Sequence, residues 1–385
     1  MHTGPVSTVA PSGSPIRSGD AGTVQPAFAI RGDRELNQIY FASQDLTDDS
    51  PPGVLSIYRY TVASDELSFL TEAADTANNF EILQLSPDGR TLVFTTTVQL
   101  TPEPVSAGSR HIYAWHDDEL SLIADIPPER TENGIAGIFS FWLSPNGRYF
   151  AFSSLASLTG FDNTNSACTG IGFSGVCRET YRFDIETGAL LCVSCRPDGR
   201  PPTGHSYTGP DRADTGSRSF VRAVDDEGHV YFSTPDPLVA RDINGKSDVY
   251  EFDGEQAHLI TPGTGGAAML GEVSESGDDV FFLTDDRLVA ADTDNSTDVY
   301  DARVGGGLPS QMEVPPDTAC KAGDCQPSAS TPPPALTGSE GAVAPTNTKR
   351  RCAKGKRLKQ VKGKQRCVKK HKQRRKNNHH RRQGR

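Results

Sequence analysis

Three groups of residues have types and spacings that could do chemistry. The first is acidic. Asp242, Asn244 and Asp248 in ARDINGKSDVY share their spacing with Asp292, Asp294 and Asp298 in AADTDNSTDVY. Carboxylate and amide oxygens gathered on one tight loop suit Ca²⁺, which takes about six to eight oxygen ligands. The glycine and terminal glutamate of an EF-hand are missing from both loops. The same side chains can cap their own turns through Asx hydrogen bonds, the ordinary role of such residues. The expectation is therefore no resident cofactor, with calcium at these six positions as the alternative.

The second group is the cysteines, eight in all, in four close pairs: Cys168 and Cys177, Cys192 and Cys195, Cys320 and Cys325, Cys352 and Cys367. An even count in local pairs points to disulfides and an oxidising compartment. Zinc is the rival, since Cys192-Val-Ser-Cys195 has knuckle spacing and Cys168 with Cys177 could complete a four-sulfur site. A redox role for the CxxC would call for a βαβ setting.

The third group is basic. Residues 349–385 hold 19 of the 39 Lys and Arg and no acidic residue, leaving 20 against 49 before position 349, a net of −29. Lys354, Lys356, Arg357, Lys359, Lys362, Lys364, Arg366, Lys369, Lys370, Lys372, Arg374, Arg375 and Lys376 are its candidate polyanion contacts. It contains no aromatic residue on which bases could stack, so it can hold polyanions by counterion release without reading a sequence. Anionic cell-wall polymers, acidic lipid headgroups, nucleic acid and the acidic remainder of the chain itself all fit that chemistry, with nucleic acid the least favoured.

Catalytic signatures are missing. There is no G-x-S-x-G elbow, no H-E-x-x-H, no phosphate-binding loop and no dinucleotide fingerprint. No carboxylate–histidine spacing stands out around His111, His116, His205 or His229. The expectation is not an enzyme.

The elements that must position these groups repeat. An apolar strand, an Asp-Gly-type turn, a β-branched and aromatic strand, a polar loop and a Tyr-centred strand recur, as in Leu83–Phe94 (LQLSPDGRTLVF) followed by HIYAW. The equivalent tyrosines are Tyr58, Tyr113, Tyr181, Tyr250 and Tyr300. A step of roughly 50–70 residues with period-two alternation is the mark of a propeller blade. The fold class expected is all-β, a β-propeller of about five, at most six, four-stranded blades. Residues 1–24 hold hardly any large apolar side chain and the stretch 309–348 is Pro-rich, so they read as a disordered segment and a linker. The organisation is thus 1–24, a propeller over 25–308, a linker over 309–348 and a basic tail over 349–385, read as disordered.

The SPDGR and SPNGR turns followed by a buried strand resemble the TolB-like, or WD40-like, bacterial propeller repeat over about residues 25–308. The Trp-Asp dipeptide of WD40 repeats and the Gly-Gly doublet of Kelch repeats are absent. LCVSCRPDG, LVARDINGKSDVYEF and the Cys/Lys tail resemble a group of large bacterial envelope proteins, which implies a secreted or surface-associated propeller and no particular reaction. Met1-His-Thr-Gly-Pro has neither a basic start nor an apolar run, so export is expected from the cysteines and the resemblance. Together these readings predict an extracellular or envelope scaffold that binds a protein or glycan ligand and is tethered to polyanions. The alternative is a hydrolase or lyase with a site built from several blades.

Overall fold

Alternation of apolar and polar residues builds five blade sheets and two separate hairpins among the described residues. The computed structural model describes residues 28–74, 79–130, 138–169, 174–209, 221–307, 356–361 and 364–369. The chain divides into two units, Met1–Gln326 and Pro327–Arg385. In the first unit, sheet one is β1 (Phe28–Gly32), β2 (Gln38–Ser43), β3 (Leu55–Thr61) and β4 (Glu66–Ala74), in that order. Sheet two is β5 (Phe80–Leu85), β6 (Thr91–Thr96), β7 (Arg110–His116) and β8 (Glu119–Ile126). In sheet three, β9 (Ile138–Leu143) and β10 (Tyr149–Ser154) precede a separate hairpin, β11 (Thr164–Thr169) and β12 (Ser174–Val176). Then β13 (Glu179–Asp184) and β14 (Ala189–Cys192) complete it. Sheet four is β15 (Val230–Thr234), β16 (Asp248–Phe252) and β17 (Ala257–Leu259), and sheet five is β18 (Ala268–Val273), β19 (Asp279–Thr284) and β20 (Asp298–Arg303).

Four strands per blade hold for the first three sheets. In the fourth, the first strand shrinks to a single bridge, Val224 to Val230. In the fifth, no outer strand follows β20 among the described residues.

Each sheet is apolar on both faces, so one sheet alone cannot bury itself; stacking does so. The buried side chains accordingly fall into four clusters, one per junction between consecutive sheets. Ile57 of sheet one packs with Ile82 and Phe94 of sheet two. Val93 and Ile112 of sheet two pack with Phe141 and Phe152 of sheet three. Val193 of sheet three joins Val224 and Phe232 of sheet four, and Tyr231 and Val249 of sheet four join Leu270 and Phe282 of sheet five. This is a β-propeller, and its core lies between blades.

The SPDGR turn is a closed set of hydrogen bonds. In blade two the Ser86 hydroxyl donates to Asp88 at 2.6 Å, the Arg90 N–H donates to the same carboxylate at 3.0 Å, and Thr91 N–H donates to Ser86 Oγ at 2.9 Å. SPNGR repeats the pattern in blade three with Ser144, Asn146, Arg148 and Tyr149. Its glycine is obligatory twice over. Gly147 has a φ of 75°, a left-handed conformation that side chains resist. A Cβ there would also stand 2.7 Å from Thr91 Oγ1 of blade two. Gly228 repeats this against the Tyr149 ring, at 2.7 Å. Each turn therefore seats on the turn of the blade before it.

The repeated tyrosine pegs the loop ahead of it. Its ring pairs across the strands with a phenylalanine, centroids 5.6–6.0 Å apart, in Phe41–Tyr58, Phe94–Tyr113, Phe152–Tyr181, Phe232–Tyr250 and Phe282–Tyr300. Its hydroxyl accepts a backbone N–H from a leucine upstream: Leu46, Leu100, Leu158, Leu238 and Leu288, at 3.0–3.4 Å. That leucine is a second periodic signal which the turn motifs hide.

In the second unit, β21 (Lys356–Val361) and β22 (Lys364–Lys369) form an antiparallel hairpin. The sequence reading placed no element there. Among the described residues no helix is long and apolar enough to cross a membrane.

Candidate functional site

One register position carries most of the polar chemistry: the residue two before the repeated tyrosine. It is Ser56, His111, Glu179, Asp248 and Asp298 in blades one to five, each opposite a Ser or Thr of the preceding strand. A third strand that begins with a polar residue at the sheet's end can spend that side chain on the outer strand. In blade three, Ser194 Oγ accepts the Thr180 N–H at 2.8 Å and donates to Glu179 Oε2 at 2.5 Å. In blade four, Thr261 Oγ1 accepts the Val249 N–H at 3.1 Å and donates to Asp248 Oδ1 at 2.6 Å. In blade two, His111 Nδ1 lies 3.0 Å from Asp125. No carboxylate–histidine or carboxylate–hydroxyl spacing announces these pairs, because strand pairing joins residues about a dozen positions apart. The recoverable signal is the repeat itself: [ED]-x-Tyr followed by Cys-Val-Ser in blade three and Leu-Ile-Thr in blade four.

Glu179 is 1% exposed, and its Oε1 has no hydrogen-bond partner among the described residues. Burial pushes its carboxyl up to about 8, with the charge of Asp236 adding to the rise and the Ser194 hydroxyl opposing it. Asp236 is itself raised by burial. A carboxylate oxygen of Glu179 and the sulfurs of Cys192 and Cys195 lie within 4.8 Å of one another.

Four of the eight cysteines resolve in favour of disulfides over zinc. Cys168 bonds Cys177, tying the ends of the β11–β12 hairpin, and Cys192 bonds Cys195 across the end of β14. Their sulfurs are thus spent on each other, and a four-sulfur zinc site is not formed. Cys320, Cys325 and Cys352 lie outside the described residues, and Cys367 stands on β22 opposite Leu358.

The two acidic loops are placed in separate blades and differ. In blade four, Tyr250 donates to buried Asp242, Asn244 Nδ2 donates to Asp248 Oδ2 at 2.7 Å, and Asn244 Oδ1 accepts the Lys246 N–H at 2.8 Å. Burial raises the Asp242 carboxyl above its ordinary range. In blade five, Asp292 accepts from Tyr300 and from the Asp294 N–H at 3.2 Å, while Asp294 caps Ser296 at 2.8 Å. Asp294 and Asp298 are exposed, and carboxylate oxygens of Asp292, Asp294 and Asp298 come within 4.8 Å of one another. They line an open groove of about 480 Å³ with Val289, Tyr300 and Arg303. Turn capping, expected from the sequence, is present in both loops.

Of the basic contacts, Lys356, Arg357 and Lys359 stand on β21, and Lys364, Arg366 and Lys369 on β22. Lys354, Lys362, Lys370, Lys372, Arg374, Arg375 and Lys376 lie outside the described residues.

No protein-family model matches the sequence, and no curated protein matches it. Solved propellers do resemble the fold. TolB from Acinetobacter baumannii is 13% identical, with 67% of this chain and 51% of that one covered and a TM-score of 0.28. This chain thus spans about half that TolB's length. The β-propeller domain of the Trilobed protease from Pyrococcus furiosus is 12% identical, covering 72% and 82%, with a TM-score of 0.28. Oligogalacturonate lyase from Vibrio parahaemolyticus is 14% identical, covering 75% and 64%, with a TM-score of 0.33. These likenesses concern the fold alone, and no residue role is carried over from them.

Proposed function

We propose that this chain is a non-catalytic binding scaffold that works outside the reducing cytosol and is held to an anionic polymer by residues 349–385. The observation that carries this reading is the division of charge, a net of −29 before position 349 against 19 uncompensated cations after it. The hairpin register supports it. Lys356 stands opposite Lys369, and Lys359 opposite Arg366. The register thus sets cation against cation along one hairpin, a concentration of positive charge that a polyanion can neutralise by counterion release. Two disulfides in the first unit support an oxidising compartment. The ligand of the propeller is a protein or glycan in this reading. The alternative reading, calcium, is left with the blade-five loop, because in blade four an amide N–H already occupies Asp248.

Co-sedimentation with purified anionic cell wall, and in parallel with duplex DNA, tests this. The full chain is compared with the variant K356Q/K359Q/R366Q/K369Q and with a chain ending at Thr348, from low to physiological salt. Wall binding that survives physiological salt and falls in both altered chains is the expected result. Equal binding by all three chains removes the tether. Stronger retention on DNA moves the partner class to nucleic acid.

A further inference from the structure

Two disulfides of this chain are built differently, and one of them has an acid beside it. Cys168 and Cys177 are 1% and 0% exposed, out of reach of a second molecule. Cys192 and Cys195 are only half-buried, and a carboxylate oxygen of Glu179, on the neighbouring strand, lies within 4.8 Å of both sulfurs. We infer that Cys192–Cys195 is an exchangeable disulfide that accepts two electrons from a partner dithiol, with Glu179 as the acid that protonates the departing sulfur.

The geometry supplies each part. Tyr181 is the register partner of Cys192, so Glu179, two residues earlier on β13, is carried to the end of the Cys-Val-Ser-Cys loop. Val193 N–H donates to Thr180 O at 2.9 Å, and Ser194 holds Glu179 Oε2. The loop between the two sulfurs is therefore tied to the strand that bears the acid. Oε1 is left without a hydrogen-bond partner among the described residues. A buried oxygen with no hydrogen bond is costly, and an oxygen of the same carboxylate lies within 4.8 Å of both sulfurs. The burial that lifts this carboxyl to about 8 keeps its proton in place at neutral pH. The charged group that acts on Glu179 is Asp236, itself engaged by Thr203 at 2.5 Å and lying 3.8 Å from Arg196. On the adjoining segment, His205 Nδ1 accepts the Arg178 N–H, and the Arg178 guanidinium lies over the Tyr207 ring.

The step balances. A thiolate of the partner dithiol attacks one sulfur of Cys192–Cys195. A mixed disulfide forms as the original bond breaks, and the electron pair leaves on the other cysteine, which takes the Glu179 proton. The partner's second thiolate then attacks the mixed disulfide and departs with its own new disulfide. The second cysteine is protonated by solvent, which also reprotonates Glu179. A sulfur whose leaving form is protonated as it leaves departs faster than one released bare. The sequence offered no βαβ setting for such chemistry; the acid arrives through strand pairing instead.

The test uses the native full chain in graded dithiothreitol between pH 5 and 9, followed by acid quench, alkylation and peptide mass analysis of each cysteine pair. Cys192–Cys195 is expected to open in the folded protein while Cys168–Cys177 opens only with denaturant. In Glu179→Gln, opening at pH 6–7 is expected to slow by about tenfold or more, with the ratio to the unaltered chain approaching one above pH 9. Thermal melts of the oxidised variant show whether it is folded, and Ser194→Ala, which frees the carboxyl without removing it, retains the pH profile. Both pairs opening only on unfolding overturns the inference. So does an unchanged rate in Glu179→Gln across the whole pH range.

Discussion

Blades three and four carry the same device in two settings. Glu179 and Asp248 occupy one register position, both are 1% exposed, and each takes a hydroxyl from the outer strand. In blade four the second carboxylate oxygen accepts Asn244 Nδ2, so the group is fully engaged. In blade three the side chain is one methylene longer, its second oxygen has no donor among the described residues, and the carboxylate lies within 4.8 Å of two sulfurs. Blade five shows the third outcome. With no outer strand described beyond β20, Asp298 at this position faces solvent. A single methylene and the presence of a fourth strand thus separate a structural carboxylate, a protonated one and an exposed one.

The largest expected difference lies in removing the carboxylates. Asp248→Ala strips an acceptor from two donors, and chemical denaturation is expected to show a loss of about 2–4 kcal/mol. Glu179→Gln keeps the shape and the acceptor for Ser194, and it is expected to cost less than about 1 kcal/mol at pH 5. Equal losses at the two sites would erase the distinction.

The pH profile sharpens it. Between about 4.5 and 8 the folded chain keeps the Glu179 proton that the unfolded chain has released. The native state then binds more protons, so stability falls as pH rises through that window. Glu179→Gln lacks this slope. Denaturation midpoints at pH 5, 6, 7 and 8 are expected to converge with the unaltered chain at the acid end, and the variant is expected to be the more stable at pH 8. A parallel pair of curves would place Glu179 in its ordinary carboxylate range.

Calcium should distinguish blade five from blade four. At ten times Kd a bound ion stabilises by about 1.4 kcal/mol, and Asp298→Asn is expected to remove that gain in a thermal melt while Asn244→Ala leaves it intact. The hydroxyls complete the comparison. Ser194→Ala and Thr261→Ala each lose two hydrogen bonds, at about 1 kcal/mol per bond. A much larger loss for Thr261→Ala would mean that it supports Asp248 more than the distances imply.

Much of this molecule could be read in advance. The Tyr period, the SPDGR and SPNGR turns and the two-residue alternation specify blades locally. A strand's two faces and a turn's glycine are set by neighbours in sequence. The pairing of Cys168 with Cys177 and of Cys192 with Cys195 was legible for the same reason, since short separations leave few partners. The sequence marks Asp242, Asn244, Asp248, Asp292, Asp294 and Asp298 as one loop pattern repeated, but not that the two loops differ. Residues such as Glu179 carried no mark, because the contact that gives them meaning is across strands and not along the chain.

The sequence by itself determined the repeat, the turn chemistry, the split of charge and the local cysteine pairs, all of which depend on residue identity and near spacing. Only the tertiary structure decided which buried carboxylate keeps one oxygen unpartnered among the described residues, which is saturated and which is exposed. That outcome depends on the strand that lies beside each one, and on the low polarity produced when one blade stacks against the next.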